Sequence, residues 1–157
     1  MIILETWIDH IGSLNYNQDK FHTYVRQIWG EFPVMDFKKK ILVVEDSQVQ
    51  RAICVAQLKQ AGFENIEVAE DGNVAYARLE KGEIELVLCD WEMPELDGIQ
   101  LLRKVKKNPT LQNIPFVMLT SLQDDKHFQE AINEGAQDYI IKPGNPDLFK
   151  EKLEKID

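Results

Sequence analysis

Four short apolar runs in this chain each end in a side chain able to do chemistry. Leu86, Val87, Leu88 and Cys89 deliver Asp90; Ile41, Leu42, Val43 and Val44 deliver Glu45 and Asp46. Phe116, Val117, Met118 and Leu119 deliver Thr120 and Ser121, and Tyr139, Ile140 and Ile141 deliver Lys142 and Pro143. After Asp90 the chain passes through Pro94 to Gly98, which forbids further strand. Unbroken apolar runs suit central strands of a parallel sheet covered on both faces. Ligands of such sheets bind outside the carboxyl ends of the strands, where a carboxylate is placed for metal binding or nucleophilic attack. Taken singly, an acid at a strand end is commonplace, because acids form turns there. Taken together, an acid pair, a single acid, a hydroxyl pair and a lysine converge on one rim if the four strands are parallel neighbours. Carboxylates so placed repel one another by about 1 to 4 kcal/mol per close pair, a strain that a chain keeps where function uses it.

From about Lys40 to Ile156 the sequence resembles the receiver domain of two-component response regulators, particularly the single-domain chemotaxis (CheY-like) type. The resemblance is carried by Glu45 and Asp46, Asp90 with Trp91, Met93 and Pro94, Asp97 with Gly98, Thr120, and Lys142 with Pro143. It implies an α/β fold over residues 38–157, a doubly wound, flavodoxin-like five-stranded parallel sheet in the order 2-1-3-4-5. It also implies a binding switch rather than a turnover enzyme. A histidine kinase or phosphotransfer protein donates a phosphoryl group to Asp90, and the signal passes through altered binding of a downstream target protein. In the resembled family the backbone carbonyl at the position of Glu92 ligates the metal, and the Lys142–Pro143 bond is cis, aiming the ammonium into the site. The hydroxyl of Thr120 is drawn toward the phosphoryl group and the ring of Tyr139 swings into the space it leaves.

The residue types suit that chemistry. A phosphoryl group moves to a carboxylate only if its equatorial charge is neutralised and the attacking oxygen is held in line. Glu45, Asp46 and Asp90 offer hard anionic oxygens at one place, which suits Mg2+. Lys142 supplies a point cation for the phosphoryl oxygens and Thr120 a hydrogen-bond donor, which leaves Asp90 as the nucleophile. Three positions depart from the family pattern: Glu92 adds a carboxylate, Leu122 replaces a polar residue, and Gly144 removes a bulky side chain after Pro143. The enzyme-class alternative is a haloacid-dehalogenase-type phosphatase, which also uses a strand-end Asp and Mg2+. It needs a second acid two residues on; Glu92 stands there, but Met93 and Pro94 do not continue that motif.

The elements that must position these groups are legible as alternating strands and helices. Ser47 caps a helix whose stripe is Val49, Ile53, Cys54, Leu58 and Ala61, stopped by Gly62. Ile66 to Ala69 is a strand, and Asp71 and Gly72 open a helix with Ala75 and Leu79 inward. Leu101, Leu102 and Val105 mark a third helix, ended by Asn108 and Pro109. A fourth starts at Asp124 or Asp125 and carries Phe128, Ala131 and Ile132; a fifth opens on Asn145 and Pro146 with Phe149, Leu153 and Ile156 inward. A net charge of -9 with no basic stripe opposes direct nucleic-acid binding. Cys54 and Cys89 lack metal or CxxC spacing and read as buried reduced thiols in a cytoplasmic protein. No cationic leader or long apolar run is present, so neither a signal peptide nor a membrane span is expected. The sequence alone names neither kinase nor pathway, and leaves open a stand-alone regulator or a piece of a longer protein.

Residues 1–37 stand outside the resemblance. Leu4, Trp7, Ile8 and Ile11, then Phe21, Tyr24, Val25 and Ile28, repeat the i, i+3, i+4, i+7 spacing of amphipathic helices, with Gly12 to Asn17 as the turn. His10 and His22 fall in this predicted hairpin, and a lone His on a helix is ordinarily just a solvated side chain. Five receiver helices already cover both faces of a sheet, so the hairpin's stripe needs another cover. Two copies closing into a four-helix bundle, a homodimer, is the expectation; a lid over the chain's own output face is the alternative. Light scattering on the full chain and on a chain starting at Asp36 should show a dimer that becomes a monomer. A monomeric full chain excludes the bundle and favours the lid.

Overall fold

The computed structural model describes residues 37–121 and 125–156. The predicted N-terminal hairpin, its histidines and Leu122 lie outside the described residues. Strand β1 is Ile41–Val44, β2 Ile66–Ala69, β3 Leu86–Asp90, β4 Phe116–Thr120 and β5 Asp138–Ile141. Helices alternate with them: α1 Gln48–Gln60, α2 Gly72–Leu79, α3 Gly98–Lys107, α4 Asp125–Asn133 and α5 Pro146–Leu153. The strands pair in parallel in the order β2-β1-β3-β4-β5. This is the expected doubly wound α/β fold.

Alternation along the strands divides the core into two layers. Ile41, Val43, Leu86, Leu88, Val117, Leu119 and Ile140 face one side, where Cys54 and Leu58 of α1 and Phe149 and Leu153 of α5 cover them. Leu42, Val44, Val87, Cys89, Phe116, Met118 and Tyr139 face the other, against Ala75 and Leu79 of α2, Leu101, Leu102 and Val105 of α3 and Ala131 of α4. Because β1, β3 and β4 are covered on both sides, their sequences are continuously apolar until the strand ends.

Local signals set the helix boundaries. The Ser47 side chain accepts a hydrogen bond from Gln50 N, and Asn145 Oδ1 accepts one from Leu148 N with Pro146 in the first turn. Asp97 and Gln100 form a reciprocal capping box that starts α3. Gly62, with φ of 105°, makes the left-handed exit from α1 that an L side chain rarely adopts.

Two stripes are narrower than their spacing suggests. Val49 and Ile53 on α1 are 70% and 46% exposed, whereas Leu58 is fully buried. The first turns of α1 stand at the carboxyl edge of the sheet, where β1 has ended and no longer lies beneath them. On α4, Ala131 is buried but Phe128 and Ile132 remain partly exposed. That helix packs over β5, an edge strand, and finds cover on one side only. Urea unfolding should separate the two kinds of position: Leu58→Ala is expected to cost about 2 to 5 kcal/mol. Val49→Ala is expected to cost less than about 0.5 kcal/mol. Similar losses for both would mean that Val49 is buried after all.

Candidate functional site

Strand register brings the predicted groups together. Val44 lies opposite Cys89, so the next residues, Glu45 and Asp90, are neighbours at the carboxyl edge. Asp90 lies opposite Leu119, and Thr120 opposite Ile141, so Thr120 and Lys142 follow on the adjoining strands. Continuing the alternation, Glu45, Asp90 and Lys142 fall on the α1/α5 side of the sheet, whereas Thr120 and Tyr139 fall on the α2–α4 side.

The ammonium of Lys142 joins the acids. Its Nζ lies 2.7 Å from Glu45 Oε2 and 2.9 Å from Asp90 Oδ1. Both carboxylates are buried, with 3% and 6% of their side chains exposed. Asp46 is exposed, and one carboxylate oxygen from each of Glu45, Asp46 and Asp90 comes within 4.8 Å of the others. The three acids are therefore neighbours, open to solvent on the Asp46 side. The Lys142–Pro143 peptide is cis.

The charges bear the marks of burial. Desolvation raises the pKa of Asp90 above the ordinary carboxylate value, against the pull of Lys142 and of the Trp91 and Glu92 backbone N–H groups, which donate to it. Desolvation likewise raises Glu45, opposed by its hydrogen bond from Lys142 and reinforced by the charge of Asp90. Burial also works against the Lys142 ammonium, but its hydrogen bonds with Asp90 and Glu45 outweigh that and hold its pKa above the usual lysine value. Cys54 borders a cavity of about 270 Å3 beside Lys142, yet burial pushes its thiol up to about 12 and keeps it protonated. Both cysteines are buried and unpaired, as the sequence led one to expect.

Backbone geometry closes the loop that follows Asp90. Gly98 N donates to Trp91 O at 2.9 Å, and a Cβ on Gly98 would collide with the Asp90 carbonyl oxygen, so no larger residue fits there. Glu95 turns this loop with a φ of 64°, a conformation uncommon outside glycine. The Trp91 ring packs edge-on against His127 of α4, with centroids 5.0 Å apart. Thr120 is fully buried at the end of β4. Tyr139 is also buried, its ring packed edge-on against Phe128 with centroids 5.8 Å apart. Glu92 is exposed in the loop.

Two contributors were not singled out from sequence. Arg51 Nη1 donates to the carbonyls of Glu45 at 2.6 Å and Asp46 at 3.3 Å, and Gln50 Oε1 accepts from Lys142 Nζ at 2.7 Å. The available signal was their place in the first turn of a helix that begins just after the acid pair, where polar side chains can reach the rim.

The model of the response regulator receiver domain matches residues 41–154. The chain belongs to the response regulator receiver family. This receiver is 36% identical over 123 residues to the chemotaxis protein CheY-3 of Vibrio cholerae, covering 78% of this chain and 95% of that protein. It is 37% identical over 117 residues to the chemotaxis protein CheY of Pseudomonas aeruginosa, covering 74% and 94%. The crystal structure of Vibrio cholerae CheY4 superposes with a TM-score of 0.70 at 28% identity, over 76% of this receiver and 99% of that chain. Receiver domains of this type act in phosphorylation-dependent two-component signalling, and nothing in these matches supports a haloacid-dehalogenase phosphatase. Among the described residues, no helix is long and apolar enough to cross a membrane.

A buried acid whose pKa is raised makes the folded state bind protons more tightly than the unfolded chain. Its contribution to stability falls as pH rises from the unfolded value through the folded one. At pH 7 the ionised Asp90 therefore costs stability, and Asp90→Asn should raise Tm by about 3 to 8 °C, since Lys142 keeps Glu45 as a partner. Calorimetry with and without Mg2+ should also show wild type gaining more from the ion than the variant. A lower Tm for the variant would contradict the stored repulsion.

Proposed function

We propose that this receiver accepts a phosphoryl group on Asp90 from a histidine kinase or phosphotransfer protein, and that the modified chain signals by altered binding to a downstream protein. The observation that carries this reading is the buried Asp90 carboxylate held by the Lys142 ammonium beside Glu45 and the exposed Asp46.

The donor set fits Mg2+: clustered hard oxygens with one side open to solvent match an ion that keeps several of its waters. Glu45, Asp46 and Asp90 would hold it, with the Glu92 backbone carbonyl as a further ligand. Bound there, the ion offsets the repulsion among the acids and the charge of the incoming phosphoryl group. A carboxylate oxygen of Asp90 attacks phosphorus while the bond from phosphorus to the donor's imidazole nitrogen breaks. The electron pair leaves with that nitrogen, which departs as neutral imidazole after protonation, and an acyl phosphate remains. Lys142 pairs with a phosphoryl oxygen and Thr120 donates its hydroxyl to another. Withdrawal of the Thr120 hydroxyl toward the site leaves room for the Tyr139 ring, which would part from Phe128 and change the surface formed by α4, β5 and α5.

The only reactions catalysed are the chain's own phosphorylation and its later hydrolysis, at a site reached from the cytoplasm. Exposed Glu92 stands two residues past Asp90 and borders the approach of hydrolytic water. Incubation of the full chain with phosphoramidate and Mg2+ should add one phosphoryl group by intact mass, and Asp90→Asn should abolish it. Label persisting in the variant would assign the acceptor elsewhere, and continuous turnover of a generic phosphate ester would favour a phosphatase.

A further inference from the structure

We infer that Gln50 is a positioning residue for Lys142, fixing the ammonium so that one of its N–H bonds points at the reacting oxygen of Asp90. The inference rests on Asp90 being the phosphoryl acceptor. A lysine ammonium has three donors and no acceptor. In this structure Nζ of Lys142 lies 2.7 Å from Glu45 Oε2, 2.7 Å from Gln50 Oε1 and 2.9 Å from Asp90 Oδ1, a set that accounts for all three. Lysine is a flexible four-carbon stem ending in a point charge, and it takes its direction from its partners. With two donors committed to Glu45 and Gln50, the third is aimed at Asp90.

The Gln50 side chain is exposed, but its backbone is set by the helix start. Gln50 sits in the first turn of α1, where its backbone N donates to Ser47 Oγ at 3.4 Å. Arg51 beside it ties the same turn to the carbonyls of Glu45 and Asp46. The Gln50 side chain thus links the α1 end of the rim to the loop after β5, across 92 residues of sequence. When Asp90 is phosphorylated, its bridging oxygen loses charge and becomes a weak acceptor. The N–H aimed there can pass to a phosphoryl oxygen without Lys142 giving up its other two partners. A neutral amide is suited to this task, because it accepts a hydrogen bond without adding a fourth negative charge to the three acids.

The test is the rate of phosphoryl incorporation from phosphoramidate and Mg2+, followed by intact mass on the full chain. Wild type, Gln50→Met, Lys142→Ala and the double variant are compared, with Asp90→Asn as control. Methionine keeps the length of the side chain and removes the amide acceptor. Gln50→Met should be slowed about tenfold, the loss expected for one hydrogen bond to a charged group. In the Lys142→Ala background the same substitution should change the rate less than twofold, because its effect passes through the ammonium. A rate for Gln50→Met within twofold of wild type, a faster rate, or an equal loss in both backgrounds overturns the assignment of Gln50. Each of those results leaves the acceptor reading intact as long as wild type is labelled and Asp90→Asn is not. An unlabelled wild type, or a labelled Asp90→Asn, overturns the acceptor reading and the role of Gln50 with it.

Discussion

Two carboxylates buried at the ends of neighbouring strands share one ammonium, and the rest of the structure is arranged so that they can. Glu45 and Asp90 are side by side because β1 and β3 pair in register, and Lys142 reaches both from the end of β5, two strands from β3 and three from β1. Charges removed from water cost several kcal/mol each unless they are paired and hydrogen-bonded. The fold meets that requirement with the lysine, with the amides after Asp90 and with the Ser47 N–H, which donates to Glu45 Oε1. The balance is incomplete, since both acids keep raised pKa values. A site with more negative than positive charge is receptive to a divalent cation, and a site already holding a cation is receptive to phosphate. The geometry offers both features at one edge of one sheet.

Most of this arrangement could be read from the chain because it depends on short-range patterns. A continuous apolar run ending in an acid is enough to place Asp90 and Glu45, since a strand covered on both faces has no other way to end than at a rim. Caps and stops were equally local: Ser47, Gly62, Asn145 and Pro146 act within a few residues of themselves. Strand order came from the family resemblance, because parallel strands of similar composition carry no label of their neighbours.

What could not be read depended on where an element ends relative to its support. Val49 and Ile53 continue the α1 stripe perfectly well, and only the end of β1 beneath them leaves them exposed. Phe128 and Ile132 suffer the same fate at the edge of the sheet. Gln50 and Arg51 escaped notice for the opposite reason: they are polar residues on a helix, the most ordinary of patterns, and their contacts lie across the fold or on backbone carbonyls. Periodicity reports which side of an element is apolar. It does not report the outline of the surface that the element rests on.

The alternation that sends Glu45, Asp90 and Lys142 to one side of the sheet and Thr120 and Tyr139 to the other has a consequence for how such a molecule diversifies. The sheet is one residue thick and close-packed on both faces, so it works as a partition between two furnished rooms, with Thr120 as the door. Substitutions that re-dress the α4 surface around Phe128 lie across the strands from the acid cluster and meet it through the buried Thr120 and through Trp91, which packs on His127. Those that adjust the first turn of α1 leave Tyr139 untouched. A lineage can therefore change whom it speaks to on one face while the acids that prompt it to speak keep their places on the other.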